Sequence, residues 1–363
     1  MKILHCSDLH LESAYNAGDR EKNKLLKNEA LEFFAYLVKF AKQNEVEAVL
    51  ICGDLFDKTS ARKSAIKYIF QLVQDVENIT FYYIYGNHDA KLNLDIAKKP
   101  ENFQIIGDQF MRFDLDENIS IGGISLTKQN VESFYNEIDF DKKRFNIFML
   151  HADTAPGSHD PSEFSNVDIR YLKNKNINYL ALGHIHKRSE GALDERGIYC
   201  NSGNCGNYGF GEETERGFVL MNIKNGKVEV TRQFMPQKRK FVTLSIDISK
   251  FQNEKVLENT IDRVLNSQNK DSFMRIKFVG YFEESFDKRI EYLTEKYKEE
   301  FFYFEIVDES KMKIDLEQIK KEKLSLKNEY LSMVFSCDEL SDSQKEAVAY
   351  AGIQALRGED INL

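Results

Sequence analysis

The chain has 363 residues, 42% hydrophobic and 30% charged, enough apolar material for one large domain or two to three smaller ones, and not the composition of a disordered tail. Fifty Lys and Arg against 59 Asp and Glu leave a formal net charge of −9, which neither demands nor excludes a nucleic-acid partner, because such partners read patches rather than totals. No run approaches the roughly 20 apolar residues of a membrane span, the polar N-terminal residues are unlike a signal peptide, and five cysteines without CxxC spacing read as reduced cytosolic thiols.

Short apolar runs, many ending in Gly, Asp, Asn or His, predict strands over Lys2–Ser7, Glu47–Cys52, Thr80–Tyr85, Arg112–Asp116, Ile119–Ile124, Phe145–Leu150, Asn178–Leu182, Gly197–Asn201, Phe218–Ile223 and Val228–Phe234. Helical patterns lie between the early ones. Leu31, Phe34, Leu37, Val38 and Ala41 recur at helical spacing within Ala30–Gln43, and Ala61–Asp75 repeats the pattern. Strands alternating with helices, then mostly strands, imply an α/β (α+β) mixed sheet sandwich with helices outside. The stretch Met235-Pro236-Gln237-Lys238-Arg239-Lys240 has linker chemistry. It separates a first domain, 1–235, from a small α+β module, 241–310. In that module strands Phe241–Ile248, Phe273–Phe278 and Phe302–Val307 alternate with helices Lys255–Leu265 and Phe286–Lys298. A charged C-terminal segment, 311–363, carries one amphipathic helix, Ser341–Leu356, bearing Ala347, Val348, Ala351, Ile353 and Leu356.

Five of the 7 histidines fall in short motifs, each directly after a predicted strand: Asp8-Leu9-His10, Gly86-Asn87-His88-Asp89, His151-Ala152-Asp153 and Gly183-His184-Ile185-His186. A companion motif, Gly53-Asp54-Leu55-Phe56-Asp57, has none. Each alone is ordinary loop or turn chemistry; their shared strand-end position points to one site, since loops at sheet ends gather distant side chains. The donors are the carboxylates of Asp8 and Asp54, the Asn87 carbonyl, and His10, His151, His184 and His186. A nitrogen and oxygen set without thiolate suits Mn²⁺, Fe or Zn²⁺ rather than Cu(I) or an iron–sulfur cluster. Seven donors are too many for one ion and suit two, about 3.5–4 Å apart, which clamp a phosphate and bring the pKa of bound water to about 7. His5 reads as a packed residue near the site and His159 as a loop residue.

The ordered set D-x-H, G-D-x-x-D, G-N-H-D, H-x-D and G-H-x-H, spanning residues 1 to about 235, resembles the calcineurin-like metallophosphoesterase superfamily. Within it, the residues from His5 to Ser13, Gly53–Asp57, Tyr199–Asn204, Phe210-Gly211-Glu212 and Glu215-Arg216-Gly217-Phe218 are similar to the SbcD-type DNA repair exonucleases, in their YhaO-like branch. Leu9 stands where that pattern often has Trp, and Cys200-Asn201 replaces its Pro-Gly. The resemblance implies a four-layer α-β-β-α sandwich, a small capping domain facing DNA, and a helical tail. It implies one ion, most often Mn²⁺, on Asp8, His10, Asp54 and His186, and a second on Asp54, Asn87, His151 and His184. His88 would not bind metal but would assist the leaving oxygen while a metal-bridging hydroxide attacks. Asp57, in preference to Asp89, would orient it.

The implied activity is DNA phosphodiester hydrolysis in repair, exonucleolytic with some single-strand endonuclease activity. Positive surface for DNA is sought at Lys58, Arg62 and Lys63, at Lys187 and Arg188, and at Lys238, Arg239 and Lys240. Tyr83, Tyr85 and Tyr208 are candidates for base stacking. The resemblance also implies an SbcC-like coiled-coil ATPase partner, since this chain carries no Walker A signature. It implies a homodimer within a heterotetramer, paired through 61–75 and 90–98. The Ser341–Leu356 helix would either dock the partner or fold back on its own module. The rival readings are a nucleotide or cyclic-nucleotide phosphodiesterase or a phosphatase of the same chemistry, and a non-catalytic scaffold for the ATPase.

Overall fold

The computed structural model of the chain describes residues 1–13, 20–57, 61–90, 92–94, 97–154, 165–206, 209–211, 215–251, 253–283, 285–313 and 325–357. They form two compact units, Met1–Lys238 and Arg239–Leu363.

Strands covered on both faces need apolar residues throughout, and in the first unit β2 (Ala48–Cys52) and β7 (Phe145–His151) are buried at every position. β1 (Lys2–Cys6), β2, β3 (Thr80–Ile84) and β4 (Phe103–Ile106) run parallel. The antiparallel pair β11 (Gly217–Lys224) and β12 (Lys227–Phe234) joins at β1, giving the order β12-β11-β1-β2-β3-β4. The second sheet has a parallel centre of β6 (Ile119–Gly123), β7, β8 (Tyr179–Gly183) and β10 (Ile198–Asn201), with antiparallel edges β5 (Met111–Asp114) and β9 (Ser189–Ala192). Its order is β5-β6-β7-β8-β10-β9.

Ile3, Leu50 and Ile84 of the first sheet meet Ile121, Ile147, Met149 and Tyr179 of the second in a shared core, each large apolar side chain contributing roughly 1.5–3 kcal/mol by its burial. On the outer side of the first sheet, α1 (Arg20–Gln43) and α2 (Lys63–Gln74) lay Phe34, Leu37, Ile66 and Ile69 over Leu4, Val49 and Phe81. Over the second sheet Phe134, Phe140 and Leu172 cover Phe148, Leu150 and Leu180. Among the described residues this fourth layer consists of two 3₁₀ turns, Phe134–Asn136 and Ile169–Leu172, and irregular chain, not the α-helices expected. The turn formers Asn130, Asn136, Asp139 and Asp141 interrupt any helical run between β6 and β7.

α1 begins ten residues before the predicted helix, because its first turns are charged and bury only Leu26 ahead of Ala30. β4 and β9, four residues each, are too short to show a pattern.

The second unit is built on β13 (Phe241–Asp247), α3 (Glu254–Asn266), β14 (Phe273–Val279), α4 (Ile290–Tyr297) and β16 (Tyr303–Asp308), its strands parallel in the order β13-β14-β16. A second, two-stranded parallel pair is β15 (Tyr281–Phe282) with β17 (Lys311–Met312). α4 starts four residues later than predicted. The Asp287 carboxylate accepts the Arg289 N–H at 2.9 Å, and Arg289 itself has φ 49°, a left-handed turn that the helix cannot extend through. The C-terminal segment does not stand apart. Leu331 and Val334 of α5 (Leu326–Phe335) and Ala349 and Ile353 of α6 (Asp342–Arg357) pack with Ile246, Leu257, Ile276 and Phe304 in one core. Ala347, Val348 and Leu356, placed by the sequence on the apolar face, are instead exposed. No described helix is long and apolar enough to cross a membrane.

At the end of β8 the two sheets leave no space. A Cβ on Gly183 would lie 2.0 Å from the Cys52 carbonyl oxygen and 2.8 Å from Ser7 Cβ, whereas one on Gly107 would meet nothing within 4 Å. Gly183→Ala is expected to cost about 1–3 kcal/mol of stability by overpacking, while Gly107→Ala should be neutral or stabilise by up to about 1 kcal/mol. Urea denaturation of the two variants, compared with the parent, checks this; equal midpoints would contradict it.

Candidate metal centre

The sequence motifs converge where parallel strands of both sheets end. β1 delivers Asp8 and His10, β2 delivers Asp54 and Asp57, β3 delivers Asn87, His88 and Asp89, β7 ends on His151, and β8 leads into His184 and His186. The first two loops are joined by a backbone ladder: Asp8 N–H donates to Gly53 O (3.1 Å), His10 N–H to Asp54 O (2.9 Å) and Leu11 N–H to Leu55 O (2.9 Å). Asp8, His10, Asp54 and His184 adopt positive φ (53°, 43°, 49° and 92°). Such conformations cost on the order of 1–3 kcal/mol each and persist at sites that the surrounding structure over-determines.

Asp8 and Asp54 are buried carboxylates. Asp8 Oδ1 stands 3.8 Å from both His10 Nε2 and His186 Nε2. Asp54 Oδ2 stands 3.7 Å from His10 Nε2 and 3.2 Å from His151 Nε2, while its Oδ1 accepts the His88 N–H at 2.9 Å. Asn87 Oδ1 lies 3.1 Å from His151 Nε2 and 3.2 Å from His184 Nδ1. Two donors each about 2.1 Å from one ion are roughly 3–4 Å apart, so these separations fit two adjoining ion positions with Asp54 between them. Asp8, His10 and His186, and separately Asp8, Asp54 and His151, are close enough to hold one ion.

The electrostatics favour positive charge here. Burial pulls His151 down, but Asp54, Asp8 and the Cys52 carbonyl outweigh it and raise its pKa to about 10. Burial alone would raise Asp54, yet His151, His10 and His88 hold it well below the usual carboxylate range. Burial and the neighbouring His151 lower His184 to about 4, leaving it a neutral imidazole. A cation at Asp54 would take the place of the His151 proton.

The His151 and His10 rings are each held by their other nitrogen, the arrangement usual for metal-binding histidines. His151 Nδ1 is 2.8 Å from Cys52 O, and since a carbonyl only accepts, Nδ1 carries the proton. His10 Nδ1 is 3.3 Å from Asp57 Oδ1. The same Asp57 oxygen is 3.2 Å from His88 Nδ1, and the His10 and His88 rings meet edge to face at 4.6 Å. His88 is 43% exposed, unlike the buried donors His10 and His151. Asp89 serves the backbone instead, accepting from Gly86 N–H (2.8 Å), Phe56 N–H (3.1 Å) and the Tyr83 hydroxyl (2.6 Å).

His5 is fully buried, with Nδ1 3.0 Å from the Tyr179 hydroxyl and Nε2 3.0 Å from Leu182 O; burial lowers it to about 3, so the ring is neutral. Four of the five cysteines are buried free thiols.

The surface expectations fare less well. Tyr83 is buried on Asp89, and Tyr85 packs against it at 4.9 Å, so Tyr83 cannot stack bases. Arg239 is buried, with its guanidinium 4.3 Å over the Phe302 ring and 4.0 Å from Asp271, and offers no surface to DNA. Arg62 grips the buried Glu12 carboxylate through two bonds of 2.5 and 2.7 Å. Arg188 pairs with Glu190 at 2.7 Å, and Lys238 stands 3.9 Å from Glu29. Lys63, Lys187 and Lys240 are exposed. Lys58, His159, Tyr208 and Glu212 lie outside the described residues. The Glu12–Arg62 pair escaped sequence reasoning: its partners are 50 residues apart and neither belongs to a spaced motif.

The profile of the calcineurin-like phosphoesterase family matches residues 1–188. The chain belongs to that family. It is 27% identical over 248 residues to the uncharacterized metallophosphoesterase YhaO of Bacillus subtilis (strain 168), covering 63% of this chain and 59% of that protein. The chain thus spans about three fifths of that relative's length. It is 26% identical over 314 residues to the DNA double-strand break repair protein Mre11 of Methanocaldococcus jannaschii, covering 79% and 80%. It is 24% identical over 277 residues to the SbcD component of the SbcCD nuclease of Staphylococcus saprophyticus, covering 66% and 69%. Among solved structures, a dimetal phosphatase from Danio rerio is similar with a TM-score of 0.44 at 10% identity, covering 65% of this chain and 96% of that one.

The Asp57 hydrogen bond raises His88 to about 9, against an opposing effect of partial burial. In the metal-free protein the His88 ring is therefore expected to stay protonated through neutral pH and to lose its proton near pH 9. Asp57→Asn should bring that titration down toward the ordinary 6.5. Ring-carbon NMR shifts followed against pH check both, and a parent His88 already titrating near 6.5 would contradict the assignment.

Proposed function

We propose that this chain is a two-metal phosphodiesterase that cleaves DNA, working as an exonuclease with some single-strand endonuclease activity in repair. The observation that carries the chemistry is the Asp54 carboxylate lying between His10 and His151, with Asp8 and His186 on one side and Asn87 and His184 on the other. The residues present fit divalent ions: buried carboxylates, imidazoles of which His10 and His151 have their outer nitrogens tied, and no thiolate among the donors. The donor set admits Mn²⁺, Fe or Zn²⁺, and the family resemblance favours Mn²⁺. When bound, the ions supply charge for the phosphate and a nucleophile from water at neutral pH.

The chain's own part centres on His88. Its Nδ1 is held by Asp57, leaving Nε2 as the nitrogen that carries a proton to the leaving oxygen. Its backbone N–H is tied to Asp54 Oδ1, which fixes the imidazole relative to the donor set. DNA as substrate is supported by the names of the Mre11 and SbcCD relatives, and by the second unit, which a small-molecule phosphodiesterase would not need. All seven donors are present, which disfavours a non-catalytic scaffold. As the family resemblance implies, the partner is a coiled-coil ATPase of the SbcC kind, in an assembly built on a homodimer of this chain, and the proposed setting is cytoplasmic. Leu326, Met333, Val348 and Leu356 of α5 and α6 are exposed apolar side chains, and these helices are where that partner would dock.

Incubating end-labelled double-stranded DNA, and separately bis-p-nitrophenyl phosphate, with Mn²⁺, Mg²⁺ or chelator tests the reading. Cleavage is expected with Mn²⁺, none with chelator, and none from Asp54→Asn. His88→Gln should lower kcat by about 10²- to 10⁴-fold with metal content unchanged. Hydrolysis of the small diester alone would move the substrate from DNA to a nucleotide or to DNA presented by the ATPase. Full activity in His88→Gln would refute the role given to that residue.

A further inference from the structure

The donor set is divided between the sheets. Asp8, His10, Asp54 and Asn87 follow strands of the first, whereas His151, His184 and His186 follow strands of the second. What lies between the sheets is apolar. Apolar packing supplies cohesion without direction, so it does not by itself hold one sheet's loops in register with the other's. Directional bonds across that interface are therefore informative. One, His151 Nδ1–H to Cys52 O, belongs to a donor itself.

Another has no part in the donor set. His5 sits on β1 with no exposed surface, where an aliphatic residue would cost nothing in desolvation. Both its nitrogens are engaged, and the tautomer follows from the partners. Leu182 O can only accept, so Nε2 carries the proton, and Nδ1 must then accept from the Tyr179 hydroxyl. Tyr179 is the first residue of β8 and Leu182 the next to last, so one ring from the first sheet grips a strand of the second along its length. Two residues beyond Leu182 is His184, whose N–H donates to Asp8 Oδ2 at 3.1 Å. Gly183 between them has no room for a side chain.

We infer that His5 is a positioning residue for the metal centre: through Leu182 it sets where the His184–His186 loop of the second sheet stands against the carboxylates of the first. The inference rests on the two-metal reading above, not on the choice of DNA as substrate. It assigns separate tasks to the two ring nitrogens, Nε2 holding the loop through Leu182 and Nδ1 anchoring the ring to the Tyr179 hydroxyl.

Conservative variants separate these tasks. His5→Gln can place an amide N–H where Nε2 lies and keep the bond to Leu182. His5→Asn reaches only the level of Nδ1 and loses it. The full chain, stripped with EDTA, is titrated with Mn²⁺ by calorimetry well below its melting temperature, and melting is recorded alongside. Both variants should melt earlier. His5→Gln should bind Mn²⁺ within about threefold of the parent, and His5→Asn about 10- to 100-fold more weakly, the range seen when an outer partner of a metal site is lost. Unchanged affinity in both variants would make His5 a stability residue only, and equal losses in both would remove Leu182 from the account; either overturns the inference. Should His5→Asn fail to fold, His5→Phe carries the test, because it keeps an aromatic ring in the same space but has no N–H for the Leu182 carbonyl. Its Mn²⁺ affinity should fall severalfold, and an unchanged value overturns the inference. A parent protein that takes up no Mn²⁺ would instead overturn the metal-centre reading, a separate result.

Discussion

Two buried carboxylates side by side must be neutralised, and the architecture of the first unit follows from that demand. Asp8 and Asp54 have almost no exposure, and the charge of a buried carboxylate is costly unless cations or donors surround it. The surrounding groups come from four different strand ends. His10 and His151 face Asp54, His10 and His186 face Asp8, and the backbone N–H groups of His88 and His184 satisfy the remaining oxygens. To point so many groups inward, the chain accepts left-handed backbone at Asp8, His10, Asp54 and His184 and gives up a side chain altogether at Gly183.

The residues gathered at the candidate metal centre were legible in the sequence because metal chemistry would demand particular side chains. Nothing replaces an imidazole or a carboxylate at a strand end, so Asp8, His10, Asp54, Asn87, His151, His184 and His186 stand out as ordered motifs. What holds them was less visible. The oxygens that fix His151 and His5 belong to the backbones of Cys52 and Leu182, and a carbonyl leaves no mark on residue identity. Cations misled for the opposite reason. Arg239 looks like a DNA-facing charge in a string of letters, yet it is buried under a ring, and Arg62, though exposed, is paired with Glu12.

The strands could be read because parallel strands buried on both faces are continuous apolar runs, as in β2 and β7. Patterns failed where burial is partial. The first turns of α1 expose lysines and show no period, and the 3₁₀ turns over the second sheet are too short to have one. In the second unit, α6 turns Ala349 and Ile353 inward and leaves Val348 and Leu356 outside, a choice that depends on where α5 lies and so cannot be made from the helix alone.

The division of the donor set between two sheets has a thermodynamic consequence. Groups brought together only by folding bind ions only in the folded state, so ions held there would act as a rivet through the sandwich, and the unfolded chain would gain nothing from them. By mass action each such ion would stabilise the fold by about 2.7 kcal/mol at a free concentration 100 times its dissociation constant. The resistance of the first unit to unfolding would then be a property of its solution as much as of its sequence, and two preparations of the same chain could differ by the equivalent of a large core mutation.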